Sequence, residues 1–306
     1  MSLLALIPSL PVVSEARQSP MATAGLLAER YLLERILGVG GMGVVYKAKD
    51  LLRESLGDPA PWVALKTLNR DLREHQGADA LLFGEFRLGS QLRHSNIVRH
   101  LHFEICPQHQ HGFFTLEWVT GLTLEERLRQ AGIMPPALRL KWARQLVAAL
   151  LHCHEQGVIH ADLKPANLLL DQHQDLLLFD FGIGRLKDGG DARFRLNRAD
   201  LDAWSYRYGA PELFHGALPS MTTDLFSLCC VLYQLLTLRH PFGQITTDTL
   251  APQSVLPLPA SRHRRLNPLL VNGLSVLPEH RTVTLSELAA GLAQLSAAPE
   301  KWLCAG

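Results

Sequence analysis

An α+β fold of two lobes, a small antiparallel sheet with one helix followed by a larger, mainly helical lobe, is what the order of patterns in this chain predicts. Three observations carry the expectation. The first third consists of short apolar runs rich in β-branched and aromatic residues, punctuated by glycine, proline and charge clusters. The remainder is dominated by longer runs with helical spacing. Hydrophobic residues make up 47% of the 306 positions, enough for a sizeable core.

The elements follow in order. Tyr31–Leu37 runs as a strand up to a glycine cluster, and Val44–Ala48 and Trp62–Leu68 follow as strands. Asp50–Pro61, with a glycine, two prolines and several charges, reads as a loop between the last two. Ala78–Leu92 has helical spacing, with Leu81, Leu82, Glu85, Phe86 and Gly89 near one face. Val98–Phe103 and Phe113–Trp118 complete the small sheet. Leu138–His154 is an amphipathic helix. Leu225–Leu238 is apolar nearly all round, which places it at the centre of the second lobe. The proline-rich stretch 251–265, with Arg262, Arg264 and Arg265, reads as a solvated loop, and Thr284–Leu295 as a last helix.

Composition narrows the function classes. Lys plus Arg number 30 against 29 Asp plus Glu, a net charge of +1, which offers neither a nucleic-acid footprint nor a polybasic membrane patch. The five cysteines, Cys106, Cys153, Cys229, Cys230 and Cys304, are scattered without CxxC spacing. That speaks against a disulfide framework or zinc knuckle and leads to the expectation of a reducing, cytoplasmic setting. Leu3–Val13 is apolar but carries Pro8 and Pro11 and is too short to span a bilayer. Residues 1–25 are expected as a flexible tail, 26–297 as one domain and 298–306 as a second tail.

Chemistry enters at Gly38, Gly40 and Gly43, a G-x-G-x-x-G run. Dinucleotide-binding folds share this spacing but need a helix next. Here Val44, Val45 and Tyr46 turn the chain back as a strand, which fits a glycine flap over nucleotide phosphates. No G-K-[ST] follows, so it is not a Walker loop. Val63-Ala64-Leu65-Lys66 ends an apolar strand on a cation, and Glu85 in the next helix is a carboxylate that could fix it. In His160-Ala161-Asp162-Leu163-Lys164-Pro165-Ala166-Asn167, Asp162 and Asn167 stand five apart, a base and a hard-oxygen metal ligand on one loop. Asp180-Phe181-Gly182 adds a second ligand, and Ala210-Pro211-Glu212 closes the segment.

Over about residues 27 to 297 the chain resembles the eukaryotic-like protein kinases, and GGMGVVYKAKD in particular is similar to their bacterial Ser/Thr members. The resemblance implies the bilobal protein kinase fold, with an N-lobe of about 26–116, a hinge at 117–120 and a C-lobe at 121–297. It implies ATP and Mg²⁺, with Mn²⁺ as an alternative, and protein substrates with Ser or Thr acceptors. A cognate phosphatase or a phosphopeptide-binding protein would be a further partner. Gly38, Gly40 and Gly43 would cover the phosphates. Val45 and Ala64 would line the nucleotide site. Lys66 would bind α- and β-phosphates and pair with Glu85. Leu116 would be the gatekeeper, with Glu117, Trp118 and Val119 as the adenine-binding hinge. Asp162 would be the catalytic base, Lys164 would stabilise the transferring phosphoryl group, and Asn167 and Asp180 would hold the metal. Ser205 would contact Asp162 and Lys164. Asp224 would tie the central helix to the catalytic loop, and Glu212 would pair with Arg281.

The pattern is broken in a few places. Ala161 replaces the usual arginine, removing a partner for a phosphorylated activation loop. Ile183–Gly209 holds no threonine, and Arg193, Arg195 and Arg198 lie near Asp191, Asp200 and Asp202, so control without loop phosphorylation is expected. Gly89 stands where many relatives carry a larger apolar residue, an expected loosening of the helix against the cleft. Phe242–Pro278 is shorter than the family leads one to expect. Two rival expectations remain: a pseudokinase scaffold, and a small-molecule phosphotransferase of the same fold. The survival of Lys66, Asp162, Asn167 and Asp180 weighs against the first, and Lys164 with Asp180-Phe181-Gly182 against the second.

Overall fold

The computed structural model of the chain describes residues 25–40, 43–69, 72, 77–130, 132–182, 184–186, 205–250 and 266–295. The expected terminal tails (but for Gly25), the basic stretch 251–265 and the charged cluster from Asp191 to Asp202 lie outside these residues.

The first lobe is a six-stranded antiparallel sheet. Its strands are β1 (Leu26–Leu27), β2 (Tyr31–Val39), β3 (Gly43–Asp50), β4 (Trp62–Leu68), β5 (His100–Ile105) and β6 (Gly112–Glu117), in the order β1-β2-β3-β4-β6-β5. Strand alternation splits β4 between two faces. Val63 and Leu65 pack with Tyr31, Ala48 and Phe113 on the outer face. Ala64 and Leu68 pack with Phe114, Leu116 and Leu82 on the inner face. That inner layer is completed by helix α2 (Ala78–Ser90), the one helix expected in this lobe.

The span Asp50–Pro61, read as a loop, contains a further helix, α1 (Leu51–Ser55). Its five residues carry no apolar period, so the pattern could not reveal it. The Asp50 carboxylate accepts from the amides of Leu52 and Arg53 as an N-cap, while Arg30 clamps the same carboxylate at 2.9 and 2.7 Å.

The second lobe is mainly helical. After β7 (Gly121–Thr123) come α3 (Leu124–Arg129) and α4 (Pro136–Glu155). Strands β8 (Val158–Ile159), β9 (Leu168–Asp171), β10 (Leu176–Leu178) and β11 (Arg185–Leu186) form, with β7, a three-stranded sheet in the order β10-β9-β7 and a β11-β8 pair. Helices α5 (Pro211–Phe214), α6 (Met221–Thr237), α7 (Leu266–Gly273) and α8 (Leu285–Ala293) follow. The all-apolar expectation for α6 holds: every residue from Thr223 to Tyr233 is buried. Ser220 and Thr284 open α6 and α8 through reciprocal capping boxes with Thr223 and Glu287.

The lobes are pinned by backbone as well as by the hinge. Val98 N–H donates to Leu178 C=O at 3.0 Å, and Leu178 N–H to Asn96 C=O at 2.8 Å. The Asn96 side-chain amide adds a bond to Leu176 C=O at 2.7 Å. These bonds fix the segment between α2 and β5 onto the strand that leads into Asp180.

Candidate active site

The glycine flap is the β2–β3 turn, closed by Gly40 N–H donating to Gly43 C=O at 2.9 Å. The three motif glycines serve closeness rather than left-handed backbone, since none of them has a positive φ. A side chain on Gly43 would strike the Thr67 carbonyl, its Cβ only 2.2 Å away, whereas Gly38 and Gly40 face open space. Across the ladder Val45 lies opposite Lys66, Ala64 opposite Leu116 and Lys66 opposite Phe114. Directly opposed residues project to the same side, so Val45, Ala64, Lys66 and Leu116 share the inner face. Val119 packs into the same cluster, and β6 ends at Glu117, whose carboxylate is held by Arg99.

Lys66 Nζ lies 2.7 Å from Glu85 and 2.9 Å from Asp180. Burial works against the Lys66 ammonium, but the carboxylates of Asp180 and Glu85 outweigh it and raise its pKa. Burial likewise opposes the Asp180 carboxylate, and the Lys66 charge overrides it, holding Asp180 well below the usual range. Burial raises Glu85, with Lys66 pulling the other way and Asp180 adding to the rise. Asp180 sits at φ +66 and Ala161 at φ +71, left-handed positions uncommon for residues with a Cβ.

The loop from His160 to Asn167 is knit from inside. Asp162 Oδ2 receives Lys164 Nζ at 2.6 Å and Asn167 Nδ2 at 2.9 Å, and the same Nδ2 also reaches the Asp162 carbonyl. Burial raises the pKa of the Asp162 carboxyl, and the Lys164 charge offsets that rise only in part. Asp224, from α6, takes the amides of His160 and Ala161 at 2.9 and 2.8 Å, as expected, and also His154 Nε2 at 2.9 Å. His160 Nδ1 accepts from the Asp162 amide, so the bond from its Nε2 to the Phe179 carbonyl, at 3.0 Å, is a donation. Below the loop, Glu212 and Arg281 form the expected two-pronged pair at 2.6 and 2.8 Å.

Asn167 spends its Nδ2 on Asp162, which leaves its amide oxygen to join the Asp180 carboxylate as hard-oxygen donors. That donor set fits Mg²⁺ or Mn²⁺, which take oxygen ligands and retain water or phosphate.

Two expectations change. The Ser205 hydroxyl is not a hydrogen-bond partner of Asp162 or Lys164. Ser205 opens a turn in which its carbonyl accepts from the Tyr208 and Gly209 amides, and Asp162 is already engaged by Lys164 and Asn167. Gly89 does not loosen the helix, because the ring of His100 fills the space: a Cβ on Gly89 would lie 2.0 Å from His100 Cε1. Sequence reasoning also missed His154, the third partner of Asp224, and Leu169, which packs in the cluster with Ala64 and Val119. The position of Leu169, two residues past Asn167 on β9, was the available signal for the latter.

Comparison with known proteins agrees with this geometry. A family model described as the protein kinase domain matches residues 31–281. The Ser/Thr-protein kinase PknB of Mycobacterium tuberculosis is 30% identical over 285 residues, covering 90% of this chain and 44% of that protein. PrkC of Bacillus subtilis is 27% identical over 274 residues, covering 87% and 40%. The chain thus spans less than half the length of these curated relatives. The crystal structure of the M. tuberculosis PknI kinase domain superposes with a TM-score of 0.64 at 24% identity, covering 90% of this chain and 99% of that one. No helix among the described residues is long and apolar enough to cross a membrane. By motif, fold and family match alike, this chain belongs to the protein kinase domain family, with its similarity running to the bacterial Ser/Thr members.

Proposed function

We propose that the protein transfers the γ-phosphoryl group of ATP to Ser and Thr hydroxyls of protein substrates. The observation that carries this is the convergence of two charge systems in one cleft: Lys66 with Glu85 and Asp180, and Asp162 with Lys164 and Asn167. Scaffolds that have lost catalysis usually lack one of these groups.

Phosphoryl transfer needs positioning and charge neutralisation more than covalent help from the protein. In this reading the flap of Gly38, Gly40 and Gly43 lies over the phosphates, and open space at Gly38 and Gly40 lets backbone approach them. Val45, Ala64, Leu116, Val119 and Leu169 enclose the adenine, with the Glu117–Val119 backbone as its hydrogen-bonding edge. Lys66, oriented by Glu85, holds α- and β-phosphate oxygens. Asp162 accepts the proton of the attacking hydroxyl, and Lys164 offsets charge on the transferring group. Asn167 and Asp180 would hold Mg²⁺ or Mn²⁺, which supplies further neutralisation of phosphate charge.

Activity without activation-loop phosphorylation belongs to the same proposal. It is supported by the Lys66–Glu85 pair, formed at 2.7 Å in the unmodified chain, and by Ala161 in the position of a phosphate-binding arginine.

The test is incubation with labelled ATP, Mg²⁺ and a generic basic protein, beside Asp162→Asn. Phosphate on Ser or Thr that disappears in the variant is the expected result. Label on a sugar or antibiotic with none on protein would move the activity to small molecules, and no transfer with any acceptor would refute the enzyme reading.

A further inference from the structure

Among the described residues, two polar side-chain contacts fasten α2 to the sheet. One joins Glu85 to Lys66 of β4 in the cleft. The other lies at the start of the helix, where the Asp79 carboxylate accepts from the amide of Gly112, the first residue of β6, at 2.7 Å. The second Asp79 oxygen lies 3.6 Å from His111 Nδ1, a buried atom with no hydrogen-bond partner of its own. His111 closes the β5–β6 hairpin, its carbonyl accepting from the Cys106 amide at 2.9 Å.

Both sides of this contact are fitted to it. The N-cap of α2 is Gly77, at φ +92, which has no side chain to receive the first amides. Its carbonyl accepts from Ala80 and Leu81, so the opening turn is tied to itself and not to the sheet. Gly112 is bare where the helix comes in: a Cβ there would lie 2.7 Å from Phe103 Cζ and 3.3 Å from Asp79 Oδ1. Between the two fastenings the helix rests on an apolar layer, Leu82 and Phe86 against Phe103 and Phe114. Such contact is non-directional and does not by itself fix the tilt of a helix. Asp79 and Glu85 are separated by about 9 Å along the axis, far enough for the first to govern the aim of the second.

We propose that Asp79 is a positioning residue for phosphoryl transfer, a latch that ties the start of α2 to the β5–β6 hairpin and thereby keeps Glu85 in reach of Lys66. The inference rests on the kinase reading of the site. Asp79 touches neither substrate nor reacting atoms and acts only through Glu85. With the latch broken, α2 pivots on its apolar layer and the Lys66–Glu85 pair is made a smaller part of the time.

The variants are Asp79→Ala, Asp79→Asn, Glu85→Gln and the Asp79→Ala, Glu85→Gln double. Hydrogen exchange of the amides in 78–90, with α6 as the internal reference, needs no activity and so separates this inference from the kinase reading. Asp79→Ala should speed exchange in 78–90 roughly 3–10-fold while α6 stays unchanged, even though alanine is the better helix former. Asp79→Asn keeps an oxygen for the Gly112 amide and should restore most of the protection. If the carboxylate served only as negative charge at a helix start, asparagine would fail as alanine does. In phosphotransfer, Asp79→Ala should lower kcat roughly 3–10-fold with little change in KM for protein substrate, and Asp79→Asn should recover most of it. In the Glu85→Gln background Asp79→Ala should cost little more, since the residue through which it acts is already disabled. Unchanged exchange in 78–90 of folded Asp79→Ala would overturn the proposal. So would an asparagine variant no better than alanine, or kcat losses from Asp79→Ala and Glu85→Gln that multiply in full.

Discussion

Asp224→Asn removes the junction between α6 and the catalytic loop while preserving shape. Asp224 is 1% exposed and its two oxygens satisfy three donors: the His160 amide, the Ala161 amide and His154 Nε2. Asparagine offers one acceptor oxygen and turns an NH₂ group toward a remaining N–H. Hydrogen bonds to a charged group contribute about 1.5–3 kcal/mol each, and a stranded buried N–H costs about 1–3 kcal/mol. The gross loss is thus about 3–5 kcal/mol. Against it, Ala161 no longer needs to be held at φ +71, and relaxing a left-handed alanine returns about 1 kcal/mol. The net is about 2–4 kcal/mol, or a fall in Tm of roughly 5–12 °C for a domain this size. Because the same bonds aim the backbone that carries Asp162, kcat should fall roughly 100-fold. The assays are thermal unfolding by circular dichroism and steady-state phosphotransfer under saturating ATP. A variant within about 2 °C of the parent and within about twofold in kcat would refute the claim that Asp224 sustains the loop.

Other expectations follow from the same structure. Ala161→Gly should stabilise the fold by about 0.5–1 kcal/mol in urea unfolding, since glycine adopts the left-handed backbone without the Cβ penalty, though its freer unfolded chain trims the gain; a loss of stability would show that the alanine methyl packs usefully. Gly43→Ala should cost several-fold more stability than Gly40→Ala, because only the former drives a Cβ into a backbone carbonyl; equal melting temperatures would contradict this. His100 and His240 are both pushed down to about 4, His100 by burial and Lys66, His240 by burial and Arg207, from an ordinary 6.5. Between those values the unfolded chain binds more protons than the folded one, so their contribution is complete above 6.5 and is lost as pH falls toward 4. Each should remove about 2 kcal/mol between roughly pH 7.5 and pH 5, and His240→Gln should abolish its share of that slope in urea titrations at the two pH values. After phosphatase treatment, phosphotransfer should proceed from the first turnover; a lag removed by preincubation with ATP, with phosphate mapping between Ile183 and Gly209, would reverse the proposal on loop phosphorylation.

The amino-acid sequence by itself determined the lobes, the order of the main strands and helices, and the identity of Lys66, Glu85, Asp162, Asn167 and Asp180 as the groups to watch. It could do so because each chemical task is written in a short stretch: a strand ending on a cation, a base and an amide five residues apart, a carboxylate before a buried aromatic. The apolar run of α6 announced its central place for the same reason, burial being a property of its own residues. What only the tertiary structure decided depends on neighbours far apart in the chain. Helix α1 forms where Arg30 fixes the Asp50 carboxylate that caps it, a condition invisible in the five residues of the helix. Spacing marked the flap glycines but not their separate reasons: Gly43 is glycine because the Thr67 carbonyl of the adjoining strand leaves no room for a Cβ. Gly89 read as a loosening of the helix against the cleft, but the ring of His100, from β5, fills that space. Local pattern records what a residue does for its own segment, and packing across segments is set by volumes and distances that exist only once the chain has folded.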